Sequence, residues 1–250
     1  MRCFLMLMVL LVAWPVRAQT FVQVQNAFNS ALGTSLTATP ASAVGSGNFV
    51  VAWVRHGTDN TSSISVSDNL SQTWTQVGSN CNSTTNDLGA MWYKENSGAI
   101  TSVTVTYGAS VNNRSLLVLE FSGVATSSSL DANAGCSSNP GGPTSLTSAS
   151  LTTTNANDLL IYAVNVGATQ SGGSAWTQGT SYTIPSNTNT DNAASGSNER
   201  AAIQYQVVTT TQSAVTTVIT YTTGANVHGL FAAFKKAGSV AAPQKPPVVL

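Results

Sequence analysis

From residue 20 to residue 237 the chain is a succession of short runs in which apolar and polar residues alternate. Ser102-Val103-Thr104-Val105-Thr106-Tyr107 and the run from Thr216 to Tyr221 show it most clearly, and both are rich in residues that suit a pleated surface. A period of two puts alternate side chains on one face, which predicts half-buried strands. Phe49 to Val54 and Leu159 to Val164 are apolar on both faces instead, which predicts strands in the middle of the structure. Gly, Asn, Ser and Pro interrupt the runs at hairpin spacing, and no stretch beyond the amino terminus carries a helical period. The pattern predicts an all-β fold of antiparallel strands.

The runs recur in order. Thr34-Ser35-Leu36-Thr37 returns as Thr144-Ser145-Leu146-Thr147, and the same offset carries Phe49-Val50-Val51 onto Leu159-Leu160-Ile161. Further on, Thr73 to Gln76 resembles Ala175 to Gln178, Met91-Trp92-Tyr93 resembles Ile203-Gln204-Tyr205, and Leu117 to Phe121 resembles Leu230 to Phe234. Two pseudo-repeats, about 21–125 and about 131–237, follow from this order. They predict one two-layer antiparallel β-sandwich over 19–237, with two tandem small β-sandwich domains as the alternative. Trp74 with Trp176, Tyr93 with Tyr205, Tyr107 with Tyr221 and Phe121 with Phe234 are matched aromatics and predict core positions.

At the amino terminus Arg2 precedes an apolar run from Cys3 to Trp14, and small residues stand at Val16 and Ala18. That pattern predicts a secretory signal peptide over 1–18, its apolar run shorter than the roughly 20 residues a membrane span needs. No later segment predicts a membrane insertion. Residues 238–250 are rich in Ala and Pro and read as a disordered tail. Charged residues make up only 7% of the chain and no basic run is present, which argues against nucleic acid as a partner. Once Cys3 is removed with the signal, Cys81 and Cys136 remain, an even pair that predicts one disulfide in an exported protein.

Where the halves differ, function has room to be added. Trp92 stands where the second half has Gln204, and on a strand it shares a face with Lys94, so it is expected to point to solvent and stack on a sugar ring. Trp53, opposite Ala163, raises the same expectation more weakly. About eight extra residues around Asp59 to Ser71 and about ten around Pro185 to Arg200 predict inserted loops, the usual place for binding. They carry Asp59, Asp68 and Asn69 in the first half and Asp191 and Asn192 in the second, a composition that suits either Ca²⁺ or Asx turns.

Enzymatic readings find little to stand on. His56 and His228 have no metal-ligand spacing and read as solvated strand ends, and no G-x-S-x-G elbow occurs. Glu95 and Glu120 are the strand-borne carboxylates that a glycoside hydrolase would need, but Val207 and Ala233 replace them in the second half.

Gly47 to Ala52, Ser65 to Asn69 leading to Thr73-Trp74-Thr75, Leu117 to Gly123 and Leu130-Asp131 together resemble a secreted bacterial β-sandwich region, jelly-roll or immunoglobulin-like, of surface and extracellular proteins. The resemblance covers most of 21–236 and implies the fold and a secreted or cell-surface location without implying an activity. Two functions stay open: a non-catalytic module that binds a glycan or an extracellular surface partner, and a structural or adhesive unit without a discrete site.

Overall fold

A computed structural model describes residues 18–57, 62–82, 87–167, 176–185, 200–222 and 226–238. The predicted signal peptide and tail therefore lie outside the described residues, Ala18 and residues 238 apart. The described chain contains fourteen strands, all paired antiparallel, and no helix. The first half supplies β1 (Thr20–Asn29), β2 (Gly33–Ala38), β3 (Phe49–His56), β4 (Ile64–Asp68), β5 (Thr75–Gln76), β6 (Leu88–Lys94), β7 (Val103–Val111) and β8 (Arg114–Ser122). The second supplies β9 (Leu130–Asn139), β10 (Ser145–Thr147), β11 (Asp158–Val166), β12 (Arg200–Val207), β13 (Val218–Thr220) and β14 (Val227–Lys235).

The protein is an antiparallel β-sandwich fold, arranged in more layers than the alternation alone predicts. In the first half a five-stranded sheet, β1-β8-β3-β6-β5, covers a three-stranded sheet, β2-β7-β4. Between them Val50, Ala52, Val54, Leu116, Val118, Val103, Val105 and Tyr107 form one core. In the second half a four-stranded sheet, β12-β11-β14-β9, covers the pair β10-β13, with Leu160, Tyr162, Phe231, Leu146 and Ile219 between them. A third core joins the two large sheets face to face. Phe49, Val51, Trp53, Leu117, Leu119 and Phe121 meet Leu159, Ile161, Leu230, Ala232 and Phe234 there.

This explains why β3, β8, β11 and β14 are apolar on both faces: one face looks into its own half and the other into the partner half. The all-β antiparallel sandwich expected from the sequence is present. Each half closes a small sandwich, and the two sandwiches share a core. Strand order is the same in both halves where strands correspond, and the large sheets meet head to tail. At one side β1 of the first sheet meets β12 of the second, where the rings of Phe21 and Tyr205 stack 5.7 Å apart. At the other side the Cys81–Cys136 disulfide ties the approach to β6 to β9, with Cα atoms 5.2 Å apart.

Register corrects one of the expected matches. Leu36 pairs with Val105 as Leu146 pairs with Ile219, so Thr106 corresponds to Thr220. Thr106 pairs with Ser65 and Thr220 with Thr177, which puts Trp176 where the first half has Ile64. Thr75 pairs with Tyr93 and Thr183 with Tyr205, so the counterpart of Trp74 is Tyr182. Both tryptophans are buried core residues, but they occupy different places. A shared Trp-Thr-Gln tripeptide aligned them across a turn of different length.

Candidate functional site

The residues singled out by sequence serve mostly to hold the fold. Trp92 does not face solvent. Leu88, Ala90 and Trp92 all face the core between the five- and three-stranded sheets, while Met91 and Tyr93 face the other half, so β6 has no solvent face. Trp53 is fully buried in the shared core. Asp68 Oδ1 accepts from Leu70 N at 2.8 Å and Gln72 N at 3.2 Å, and its Oδ2 accepts from Trp74 Nε1 at 2.8 Å and Gln72 Nε2 at 3.3 Å. Asn69 Oδ1 accepts from Thr101 N at 2.7 Å and Ser102 N. These oxygens are occupied by donors that build a turn, which leaves little for a Ca²⁺ ion. Asp59, Asp191 and Asn192 lie outside the described residues. Among the described residues no group of three or more metal-ligating side chains occurs.

The two strand carboxylates also have structural work. Glu95 accepts from Ser128 N at 3.0 Å and Ser129 N at 2.8 Å and so pins the segment that joins the halves. Burial pushes its carboxyl up, but these bonds outweigh it and hold the group below its ordinary value. Glu120 Oε1 accepts from Gly45 N at 2.8 Å and Asn48 Nδ2 at 2.5 Å, and Oε2 from Gln23 Nε2 at 2.6 Å. Both face inward onto chain, not into a shared cleft.

His56 and His228 are fully buried rather than solvated strand ends. His228 lies inside the apolar run Val227 to Phe234, a continuity that points inward, whereas Arg55 separates His56 from Phe49 to Val54 and the sequence carries no such signal there. His228 belongs to a polar cluster in the shared core. Trp53 Nε1, a donor only, donates to Asn165 Oδ1 at 2.6 Å. That fixes the amide, so Asn165 Nδ2 donates to His228 Nε2 at 2.9 Å, and the ring proton sits on Nδ1. Nδ1 lies 3.1 Å from Asp87 Oδ2, and Asp87 Oδ1 lies 3.0 Å from Arg55 Nη2. Burial alone pushes Asp87 up, yet Arg55 and His228 hold it below the usual carboxylate range. Gly89 leaves the room: a Cβ there would stand 2.7 Å from Asn165 Nδ2 and 2.8 Å from His228 Nε2. An Asp-His pair invites a catalytic reading, but the base nitrogen is taken by Asn165 and a substrate has no way in. The cluster ties the halves together.

A shallow, open cleft lies on the surface of the second half. It offers about 300 Å³ and is lined by Thr147, Gly179, Thr180, Tyr182, Thr216, Thr217 and Val218. Thr147, Thr180 and Thr216 are exposed at its rim, and Thr217, Gly179 and Tyr182 are buried in its wall. Gln204 builds that wall from behind. Its Oε1 accepts from Gly179 N at 2.8 Å, and its Nε2 donates to Thr217 Oγ1 at 2.9 Å and Val218 O at 3.3 Å. Gln204 thereby holds the turn ahead of Tyr182 against β13. The Tyr182 hydroxyl is buried beside Thr217; burial pushes its pKa above the ordinary value, and the Thr217 hydroxyl works the other way. In the first half the same place is closed. Trp92 takes the register position of Gln204, and Trp74 that of Tyr182, its indole satisfied by Asp68.

No family model matches the chain, and no curated protein matches it. Among solved structures, a chain of Cucumber Leaf Spot Virus is 13% identical over 97% of this chain and 100% of that chain, with a TM-score of 0.21, a likeness too slight to carry an argument.

Proposed function

We propose that the chain is a secreted, non-catalytic binding module whose cleft between β13 and the turn at Gly179 takes a neutral, hydroxyl-rich ligand such as a carbohydrate. The observation that carries it is the uncharged cleft itself, whose rim exposes the hydroxyls of Thr147, Thr180 and Thr216. Threonine hydroxyls both donate and accept, as sugar hydroxyls do, and no ion in the lining demands a charged partner. The Cys81–Cys136 disulfide supports an extracellular setting, and no helix among the described residues is long and apolar enough to cross a membrane.

A glycan array probed with the wild type and with Thr180→Val tests the reading. A hit whose affinity falls about 3- to 10-fold in the variant, the worth of one hydrogen bond, supports it. A hit indifferent to Thr180→Val, Thr147→Val and Thr216→Val counts against this cleft. The second reading, a structural or adhesive unit, is favoured by the internal bonding of Asp68, Glu95, Glu120, Asp87 and His228. An array without signal from well-folded protein favours that reading.

A further inference from the structure

At the start of β9 the ladder with β14 slips. Leu130 pairs with Phe234 and Ala132 with Ala233, so Asp131 is the extra residue of a β-bulge. A bulge re-aims the side chain it carries. Across β14, Asp158 opens β11 opposite Lys235, on the face that Lys235 shares with the small Ala233, which pairs with Leu160 and Ala132. Asp158 is fully buried, and neither of its carboxyl oxygens has a hydrogen-bond partner. Asp131 is the opposite case. Its Oδ1 accepts from Thr154 Oγ1 and Asn155 Nδ2, each at 2.5 Å, and its Oδ2 from Thr154 N at 2.6 Å and Asn155 N at 3.2 Å.

We propose that Asp131 and Asp158 form a proton-operated clasp: Asp158 keeps a proton and presents it to the Asp131 carboxylate, and the clasp loosens when that proton leaves. Four donors aimed at Asp131 make it the ionised member. Asp158 has only the Thr153 hydroxyl beside it, which also reaches Asn155 O, so its charged form would lie buried beside a second carboxylate. Burial and then Asp131 push Asp158 up to about 7. Burial works against Asp131 as well, but the Thr154 and Asn155 bonds outweigh it and hold the group at about 2. The charged groups facing Asp158 are Asp131 from β9 and Lys235 from β14; the Thr153 hydroxyl and then Lys235 favour ionisation, but less than burial and Asp131 oppose it. The remaining neighbours, 153–157 and 208–212, contain no charged residue. The same N–H groups that hold Asp131 make the pair a poor cation site, so a proton is the better occupant.

The clasp sits where several segments meet. Val208 N donates to Asp158 O at 2.9 Å, Lys236 N to Asn157 O at 3.1 Å, and Gln212 N to Thr153 Oγ1 at 2.9 Å. Lys235 N donates to Ser129 O at 2.7 Å, and Ala125 N to Lys235 O at 2.8 Å, so the segment between the halves is anchored to the same strand end. Folded Asp158 binds its proton more tightly than the unfolded chain does, near 4 for an ordinary aspartate. The contribution is therefore full below about pH 4 and is lost as pH rises to about 7.

Carbon-13 NMR of the aspartate carboxyls tests it directly on the wild type. One aspartate titrating near 7, absent in Asp158→Asn, is expected; all aspartates titrating in the ordinary acid range would overturn it. Melting curves from pH 4 to 8 give the second readout. The wild type should lose several degrees relative to Asp158→Asn across that range, whereas parallel profiles contradict the clasp. If Asp158→Asn does not fold, Lys235→Gln replaces it and should move the midpoint upward. A Ca²⁺-dependent rise in melting temperature at pH 8 would assign the pair to a cation and overturn the proton. These outcomes do not depend on whether the Thr-lined cleft binds anything.

Discussion

Glu120 and Asp131 do one job from two strands. Glu120, on β8, grips the loop ahead of β3 through Gly45 and Asn48. In the second half Ala233 stands at the corresponding place on β14, and Asp131 reaches from β9 to grip the loop ahead of β11 through Thr154 and Asn155. Glu120→Ala is expected to cost about 1 to 2 kcal/mol, because it removes the charged acceptor of the half-buried Asn48 amide and the Gly45 N–H. Urea denaturation measures it, and a loss within experimental scatter would show the loop holds without the carboxylate. The difference between Glu120 and Ala233 is plain in the sequence, and it invites a functional reading. That the task passes to Asp131 is not legible there, because it depends on a bulge that sequence periodicity does not register.

At the scale of elements, the strands themselves were legible and their surroundings were not. Period-two alternation located β7 and β13, and doubly apolar runs located β3 and β11 as central. Alternation cannot say what covers a second apolar face, so Trp92 read as solvent-facing on a strand whose two faces are both covered. The cleft arises from a change in one turn. The first half uses Asp68, Gln72 and Trp74 to fill the space that the second half leaves between Tyr182 and β13. Gly179 lets that turn approach: a Cβ there would stand 2.5 Å from Thr217 Oγ1 and 2.9 Å from Val218 O. Gly179→Ala should push the turn off β13, break the bond to Gln204 and cost about 1 to 3 kcal/mol. Amide exchange at Gly179 and Tyr182 should quicken, while exchange in β3 and β8 stays slow. Unchanged protection at Gly179 would mean the turn is held by something other than this contact.

At the scale of the molecule, the two sandwiches are joined by an apolar core with one charged cluster inside it and one disulfide at its side. The apolar contacts of Phe49, Phe121 and Phe234 supply attraction but are tolerant of sliding, since one buried apolar contact can replace another. The cluster is less tolerant. Arg55 and Asp87 belong to the first half, Asn165 and His228 to the second, and any slip of one sheet across the other separates groups that are fully buried. A charge left alone in such a place costs more than the pair contributes. Asp87→Asn should therefore destabilise the protein by about 3 to 5 kcal/mol, since it removes the buried carboxylate that faces both Arg55 and His228. Arg55→Met combined with Asp87→Asn should cost less than the sum of the two single changes, because the two residues touch. The pH dependence separates this from a packing effect. Asp87 is held below its ordinary value, so its stabilisation is present above about pH 4 and is lost as pH falls below that. Acid unfolding of Asp87→Asn should then be shallower than that of the wild type. Equal acid profiles, with the double variant as unstable as the sum, would show that the ion pair is incidental to the docking of the halves.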